Sequence, residues 1–388
     1  MIKKVIYISY VRLSDKMSRD WFIDYLIYKG IAVEYWDVVA LVRDEYEEAA
    51  AKTTDYLRTF RTYGELEEAL RLPENKNSYY VMVVVYAGFT IRLFRLLTKY
   101  NCSMLYIEWG AVPYKSINRW RRLLFSLNDP QRLVKKLFYM GKAIVYKKLK
   151  LIKPFVIVCV AGKQAFEGDR YATKRIAINY ADYDLYKKVK LESATSIVEG
   201  RYAVFLDSYL PHHLDIKLAG WPPIMPTEYY ASLSRFFEQL EVQYKISVVI
   251  AAHPRSDYSA SKPFGGRQVY TDRTAELVKS ADFVIVHSSY SQSHAVLNSK
   301  PIVFIYTNEM LAAYKHTLMN EIFDSALYLD AAIYNIDKIT QSRILIKNVN
   351  LVRYESYKYE FLTTRETEHT TSQEIFWHTI STEGDIET

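Results

Sequence analysis

The chain has 388 residues, half of them hydrophobic and 24% charged, with a net charge of +7. That length exceeds one ordinary core, and the composition excludes a disordered or fibrous chain, so two globular domains are expected. The two cysteines, Cys102 and Cys159, lie in apolar runs and fit a reduced cytoplasmic protein, and no uninterrupted apolar stretch reaches the roughly 18 residues of a membrane span.

The first ten residues superficially match a signal peptide. The apolar run is cut by Arg12 and no small-residue cleavage site follows, so Lys3 to Ser9 reads as a first β-strand. Asp20 to Lys29 has helical spacing and stops at Gly30, a C-cap signal. Ile31 to Trp36 is the next strand, followed by a charged helical stretch from Asp44 to Leu70. Tyr79 to Tyr86 is a buried strand, Phe89 to Lys99 a helix, and Ser103 to Ile107 a strand that ends in Glu108-Trp109-Gly110. Such alternation specifies βαβ units and a parallel sheet, which makes the fold class α/β.

From Lys115 to Lys153 there are twelve Lys and Arg residues against one acid, Asp129, interleaved with Trp120, Leu123, Leu124, Phe125, Leu137, Phe138 and Tyr139. A basic helix with an apolar face suits an anionic membrane surface; the plainer alternative is a solvated helix packed on a core. The rest of the chain is close to neutral, which argues against nucleic acid. Pro154 to Lys163 reads as the last strand of the first domain.

The Tyr-rich passage Asn179 to Lys188 separates the domains. The expected division is a first domain over 1–178, a second over 179–362 and a loose tail over 363–388. The second domain opens with Tyr202 to Leu206, a strand ending in Asp207-Ser208. A loop rich in Pro and His follows, with His212 and His213, and Thr227 caps a helix. A strand runs to His253, then a loop with Gly265-Gly266, a short helix from Thr274 to Ser280, and a strand to His287. A helix from Tyr290 and a strand from Pro301 to Tyr306 complete a second α/β sheet. There is no internal repeat.

Two segments carry the chemistry. Ser247 to Arg255 is an apolar run ending in His253-Pro254, and Ala281 to Ser291 is another ending in His287-Ser288-Ser289. In open α/β sheets ligands bind outside the carboxyl ends of the strands, so both endings belong to one crevice and suit a phosphate. An imidazole at His253 can donate to a phosphate oxygen and assist a departing nucleotide. Ser288 and Ser289 precede a helix start, where unpaired N–H groups favour anions, although serine is also simply a good cap. Asn308 and Glu309, after the next strand, suit the ribose or base. There is no G-x-x-x-x-G-K-[ST] loop and no G-x-G-x-x-G fingerprint, which weakens ATPase and dehydrogenase readings. Asp182-Tyr183-Asp184 and His212-His213-x-Asp215 are weak metal candidates, and no metal or other cofactor is expected.

Two such domains facing a central cleft resemble the GT-B glycosyltransferases, with two Rossmann-like α/β domains. His253-Pro254 and Ser288-Ser289, in this order and spacing, look like the His-Pro and Ser-Ser motifs of bacterial GT-B enzymes that use CMP-sugars. Phe205 to His213, with Ala161-Gly162-Lys163 and Asp182-Tyr183-Asp184, looks most like the retaining β-Kdo transferases of the WbbB type. The resemblance covers residues 155 to 310; the N-terminal half is similar only in layout. It implies that His253, Ser288 and Ser289 contact the CMP phosphate and that Asp207 is the carboxylate at the donor's anomeric carbon. The residues themselves agree: a carboxylate ending a strand at the cleft can serve as nucleophile if configuration is retained, or it can simply brace a loop. Glu108, on the opposite domain, is the candidate general base. The donor's own carboxylate needs a cation, for which Lys163, Arg255, Lys262 and Arg267 are candidates.

The expected activity is transfer of Kdo from CMP-β-Kdo, with retention, to a lipid-linked bacterial surface glycan (O-antigen, lipopolysaccharide or capsule). The enzyme would lie at the inner face of the cytoplasmic membrane through residues 115–153. The alternatives are another CMP-sugar transferase such as a sialyltransferase, a CDP-polyol phosphotransferase, a nucleotide-sugar 2-epimerase, and a non-catalytic glycan- or membrane-binding protein.

Overall fold

The computed structural model describes residues 4–42, 53–109, 112–113, 130–163, 171–192, 196–213, 216, 221–258, 261–339 and 343–383. The first sheet holds β1 (Lys4–Ser9), β2 (Ala32–Asp37), β3 (Leu57–Thr59), β4 (Tyr79–Val83), β5 (Ser103–Glu108), β6 (Phe155–Ala161) and β7 (Ala172–Ile178), in the order β3-β2-β1-β4-β5-β6-β7. The second holds β8 (Tyr202–Leu206), β9 (Ser247–Ala251), β10 (Val269–Tyr270), β11 (Val284–Val286), β12 (Ile302–Tyr306) and β13 (Ala332–Asn335), in the order β10-β9-β8-β11-β12-β13. All the pairings are parallel. Both sheets therefore repeat the 3-2-1-4-5-6 winding of dinucleotide-binding folds, with the order reversing between β1 and β4 and between β8 and β11.

The strands read as continuous apolar runs because both faces are covered. In β1, Val5 and Tyr7 face one cluster while Ile6 and Ile8 face another. The helices Tyr63–Arg71 and Ile91–Lys99 cover the second face through Leu66, Leu70, Phe94 and Leu97. Cys102 and Cys159 are free and buried, and burial pushes both thiols up to about 12, so neither is a nucleophile at neutral pH.

Three elements differ from the sequence-based expectation. β6 is not the last strand of its sheet: β7 follows it, and Lys174 and Arg175 on that edge hid the strand signal. The stretch expected to be helical to Leu70 contains edge strand β3 before its helix. Residues 115–129 of the basic segment lie outside the described residues, and the helix expected there runs over Pro130–Lys148. The tail expected to be loose instead carries the helix Ser372–Glu383, whose Phe376 and Ile380 are buried in the core of the first domain.

The chain thus crosses back from the second sheet to the first, and the crossing is fixed at Asn179. This fully buried side chain donates to Asp184 Oδ1 (3.0 Å) and to the Thr370 carbonyl (2.7 Å), and accepts from Thr363 Oγ1 (2.6 Å). Its backbone N–H donates to Ser372 Oγ at 3.0 Å. Phe376→Ala removes a fully buried ring and is expected to cost about 3–5 kcal/mol of stability in chemical denaturation; an unchanged midpoint would show that the helix contributes no core.

Candidate functional site

Register builds the site. Leu206 at the end of β8 lies opposite Ala251 of β9 and Val286 of β11, and Val286 lies opposite Phe304 of β12. The residues that leave these strands therefore emerge together, at the point where the strand order reverses. Asp207 and Ser208 stand on one side of that crevice, and Ser288 and Ser289 on the other. The Ser208 hydroxyl donates to the Ser288 carbonyl across it at 3.3 Å.

Asp207 is only 5% exposed. Its Oδ1 accepts from the Tyr209 N–H at 2.8 Å, and its Oδ2 accepts from the Tyr258 hydroxyl at 2.6 Å and more weakly from the His253 N–H at 3.4 Å. Burial raises its pKa above the ordinary Asp range, while these donors and nearby His213 act against the rise. Tyr209 takes a left-handed backbone (φ 50°), which turns the chain sharply after Asp207. Its ring stacks on His253 at 6.5 Å, and His213 meets the other ring edge-on at 5.1 Å. His253 Nδ1 accepts from the Arg255 N–H at 3.1 Å, so Pro254 and exposed Arg255 fold back around the imidazole.

Ser288 is nearly buried and its hydroxyl donates to Glu321 Oε1. Ser289 Oγ accepts from the Ser291 N–H at 3.2 Å. The helix begins at Gln292, two residues later than expected, and runs only to Leu297. Its first N–H groups donate to the carbonyls of Ser289, Tyr290 and Ser291. Among the described residues no backbone acceptor takes the N–H of Ser289 or Tyr290. Those groups, not the helix itself, are backbone donors that can face an anion.

The remaining candidates divide. Lys262 and Arg267 line a pocket of about 300 Å³ with Tyr258, Pro263 and Phe264, beside Asp207's partner. Arg267 is committed there: it grips Glu241 through two bonds of 2.9 and 2.6 Å and is 10% exposed, while Lys262 is exposed. Asn308 and Glu309 open a helix capped by Thr307 and are engaged structurally. Asn308 Oδ1 accepts from Asn335, and Glu309 accepts from the Met225 N–H. Glu108 ends β5, and exposed Lys163 follows β6, both on the first sheet. Gly162 before it has φ +69°, and a Cβ there would stand 2.5 Å from the Glu360 carbonyl, so the Ala161-Gly162-Lys163 sequence has a packing role as well.

The two metal candidates have other partners. Asp182 accepts from Ser293 Oγ at 2.5 Å and faces His294 at 3.6 Å, while Asp184 accepts from the Ser372 N–H and Asn179. Asp215 lies outside the described residues. Among the described residues no group of three His, Cys, Asp or Glu side chains stands together to hold a metal ion.

Sequence reasoning missed Tyr258 and Glu321. Neither lies at a strand end, and both reach the site through the fold. It also missed the role of His287, which is wholly buried. Nδ1 lies 2.7 Å from the Ile305 carbonyl and must carry the proton, so Nε2 accepts from the Tyr229 hydroxyl at 2.8 Å. Burial lowers its pKa to about 4. The folded state then refuses a proton that the unfolded chain accepts near pH 6.5, so stability is full above that pH and is lost as pH falls toward 4. The loss is expected to total about 3 kcal/mol over that window. His287→Asn should flatten this decline in denaturation measured at pH 7 and pH 5; an unchanged slope would assign the acid sensitivity elsewhere.

No protein-family model matches the chain, and no curated protein matches it. Solved structures do resemble it. The glycosyltransferase SnogD from Streptomyces nogalater aligns over 98% of this chain and 100% of its own, with a TM-score of 0.50 at 10% identity. A putative UDP-N-acetylglucosamine 2-epimerase from Listeria monocytogenes aligns over 100% and 98%, with a TM-score of 0.48 at 11% identity. The calicheamicin glycosyltransferase CalG4 aligns over the full length of both chains, with a TM-score of 0.46 at 10% identity. At this identity the likeness is one of fold, and with the two windings above it establishes two Rossmann-like α/β domains in the GT-B arrangement.

Proposed function

We propose that this chain is a glycosyltransferase that takes its sugar from a nucleotide donor bound at the carboxyl ends of β8, β9, β11 and β12. The observation that carries the reading is the convergence of Asp207, His253 and Ser288 at the reversal of strand order, joined through Ser208 and the His253 N–H. In its finer form the donor is CMP-β-Kdo, the linkage is made with retention, and the acceptor is a lipid-linked bacterial glycan. That form rests on the His-Pro and Ser-Ser motifs and on the carboxylate at the end of β8.

The chemistry follows in two balanced steps. Asp207 attacks the anomeric carbon, its carboxylate oxygen forming the new bond as the carbon–oxygen bond to phosphate breaks. The electron pair leaves on CMP, whose charge meets the Ser289 and Tyr290 N–H groups, the Ser288 hydroxyl and His253. An acceptor hydroxyl then gives its proton to Glu108 and displaces Asp207 from the opposite side, so two inversions give retention. Tyr258 must shift for Asp207 to reach the sugar, and its hydroxyl holds the carboxylate ionised and oriented beforehand. With Arg267 held by Glu241, the sugar carboxylate falls to Lys262 and to Lys163 or Arg255.

The lipid acceptor is proposed to be reached from the membrane surface. The helix Pro130–Lys148 runs against Gly88, where a Cβ would stand 2.4 Å from Tyr139, and its Ala143 carbonyl accepts from Tyr86. Its other face leaves Val134 (66% exposed), Phe138 (63%), Leu137, Ile144 and Val145 in water among lysines. No described helix is long and apolar enough to cross a membrane.

Two experiments test this. Intact-mass spectrometry after incubation with CMP-Kdo generated in situ is expected to show one added Kdo residue, absent in Asp207→Ala, which still binds CMP. Undiminished transfer by Asp207→Ala would exclude the nucleophile, and an adduct formed only from CMP-sialic acid or UDP-GlcNAc would replace the donor. In sedimentation with vesicles, phosphatidylglycerol is expected to retain the protein and phosphatidylcholine alone to release it. Joint Val134→Glu and Phe138→Glu substitution should cut retention by about tenfold or more; equal binding to both vesicle types would refute the membrane role.

A further inference from the structure

Glu321 belongs to the helix Leu318–Tyr328, which packs behind the crevice, and the mechanism above leaves it unused. It is largely buried, and its one described side-chain partner is the Ser288 hydroxyl. A serine has one proton to donate. While Glu321 is ionised it can only accept, so that proton points at Glu321, and Ser288 turns lone pairs toward the crevice. An anion arriving there meets a repulsive oxygen. If Glu321 carries a proton the bond reverses: the carboxyl donates to Ser288 Oγ, and the Ser288 proton is released to an incoming phosphate oxygen.

We propose that Glu321 is a positioning residue that sets the direction of the Ser288 hydroxyl, and that phosphate binding at Ser288 takes up one proton on Glu321. This rests on the reading that Ser288 meets the donor phosphate. The surroundings suit the role. Burial holds the Glu321 carboxyl above the ordinary Glu range, and only the Ser288 bond opposes it. The titratable groups that feel its charge are phenols: Tyr290, on the loop after β11, and Tyr357, on the helix Leu351–Tyr357. Both are held above their usual range, so they stay neutral. Asp324 lies one turn along the same helix. No cation among the described residues appears beside the carboxyl to hold it ionised.

The chemistry distinguishes this role from a direct grip on the ligand. A carboxylate that accepts from a ribose hydroxyl would contribute equally to cytidine and to CMP. A carboxylate that works through Ser288 affects only ligands that carry the phosphate.

Calorimetric titration of CMP and of cytidine from pH 5 to pH 8 tests it. For the native protein the CMP dissociation constant is expected to rise with pH, by up to about tenfold per unit above the Glu321 transition, as uptake of one proton requires. The CMP phosphate titrates in the same range, but identically for every variant, so the difference between proteins isolates Glu321. Glu321→Gln, whose amide donates permanently to Ser288 Oγ, should show only the dependence that the phosphate itself brings. Glu321→Ala guards against a packing effect of the amide and should also lose the native slope. Ser288→Ala should weaken CMP and abolish the difference between Glu and Gln at 321. Cytidine should bind all the folded variants alike, with folding checked by melting temperature.

Parallel pH slopes for the native protein and Glu321→Gln would overturn the proposal while leaving nucleotide binding intact. So would a uniform loss of both cytidine and CMP in Glu321→Gln, which would make Glu321 a direct ligand contact. Failure of the native protein to bind CMP would overturn the donor reading and this inference together.

Discussion

The register of β8 between β9 and β11 is the constraint on which the candidate site depends. A parallel strand that slips by one residue turns every side chain to the other face of its sheet. Here that slip would push Phe205 out of its aromatic cluster with Phe237, Phe264 and His287. It would also carry Asp207 away from the Tyr258 hydroxyl and the His253 N–H. Packing on both faces of the sheet therefore fixes the position of a carboxylate just beyond it. The strong hydrophobic term holds the weak polar terms in place, because Leu206, Ala251 and Val286 are buried whether or not anything binds.

Around that fixed point the polar groups are buried more deeply than an open binding site requires. Asp207 and Glu321 are raised by burial and His287 is lowered by it; Asp207 and His287 follow strand ends directly, and Glu321 comes from a helix to meet Ser288. Each is satisfied by specific donors or acceptors. This is the pattern expected where ionisable groups are tuned, and the same groups would otherwise be a liability in a core. Aromatic rings surround these groups: Tyr258, which binds Asp207, packs edge-on against Tyr209 and Phe264, and Tyr229 meets His287.

Much of this was legible in the sequence and some was not. The central strands announce themselves as β-branched runs with polar endings, so β1, β4, β5, β6, β8, β9, β11 and β12 and the crevice at their ends follow from local pattern. The edge strands β3, β7, β10 and β13 do not, because short or charged edges lack that pattern. The Asp207, His253 and Ser288 endings were readable because strand order reduces a three-dimensional juxtaposition to a sequence rule. Tyr258 and Glu321 were not, since each comes from a loop or helix whose approach depends on tertiary packing. Asp182 and Asp184, weak metal candidates from their spacing, are engaged elsewhere. Their spacing imitates a metal motif, yet one carboxylate accepts from Ser293 and the other caps Ser372. The helix Ser372–Glu383 was hidden by polar residues that satisfy its start, as Glu374 does for Thr371.

That last helix also sets an order of assembly. Phe376 and Ile380 complete a core whose other members include Val5, Tyr7 and Phe22. A ribosome releases the first domain's own strands long before it releases this helix, and domains ordinarily fold in the order of synthesis. Until that helix is made, the part of this core that Phe376 and Ile380 cover stays open, although Phe22, Ile23 and Leu26 already pack on the same face. The core of the first domain is therefore completed only after the second domain has been synthesised.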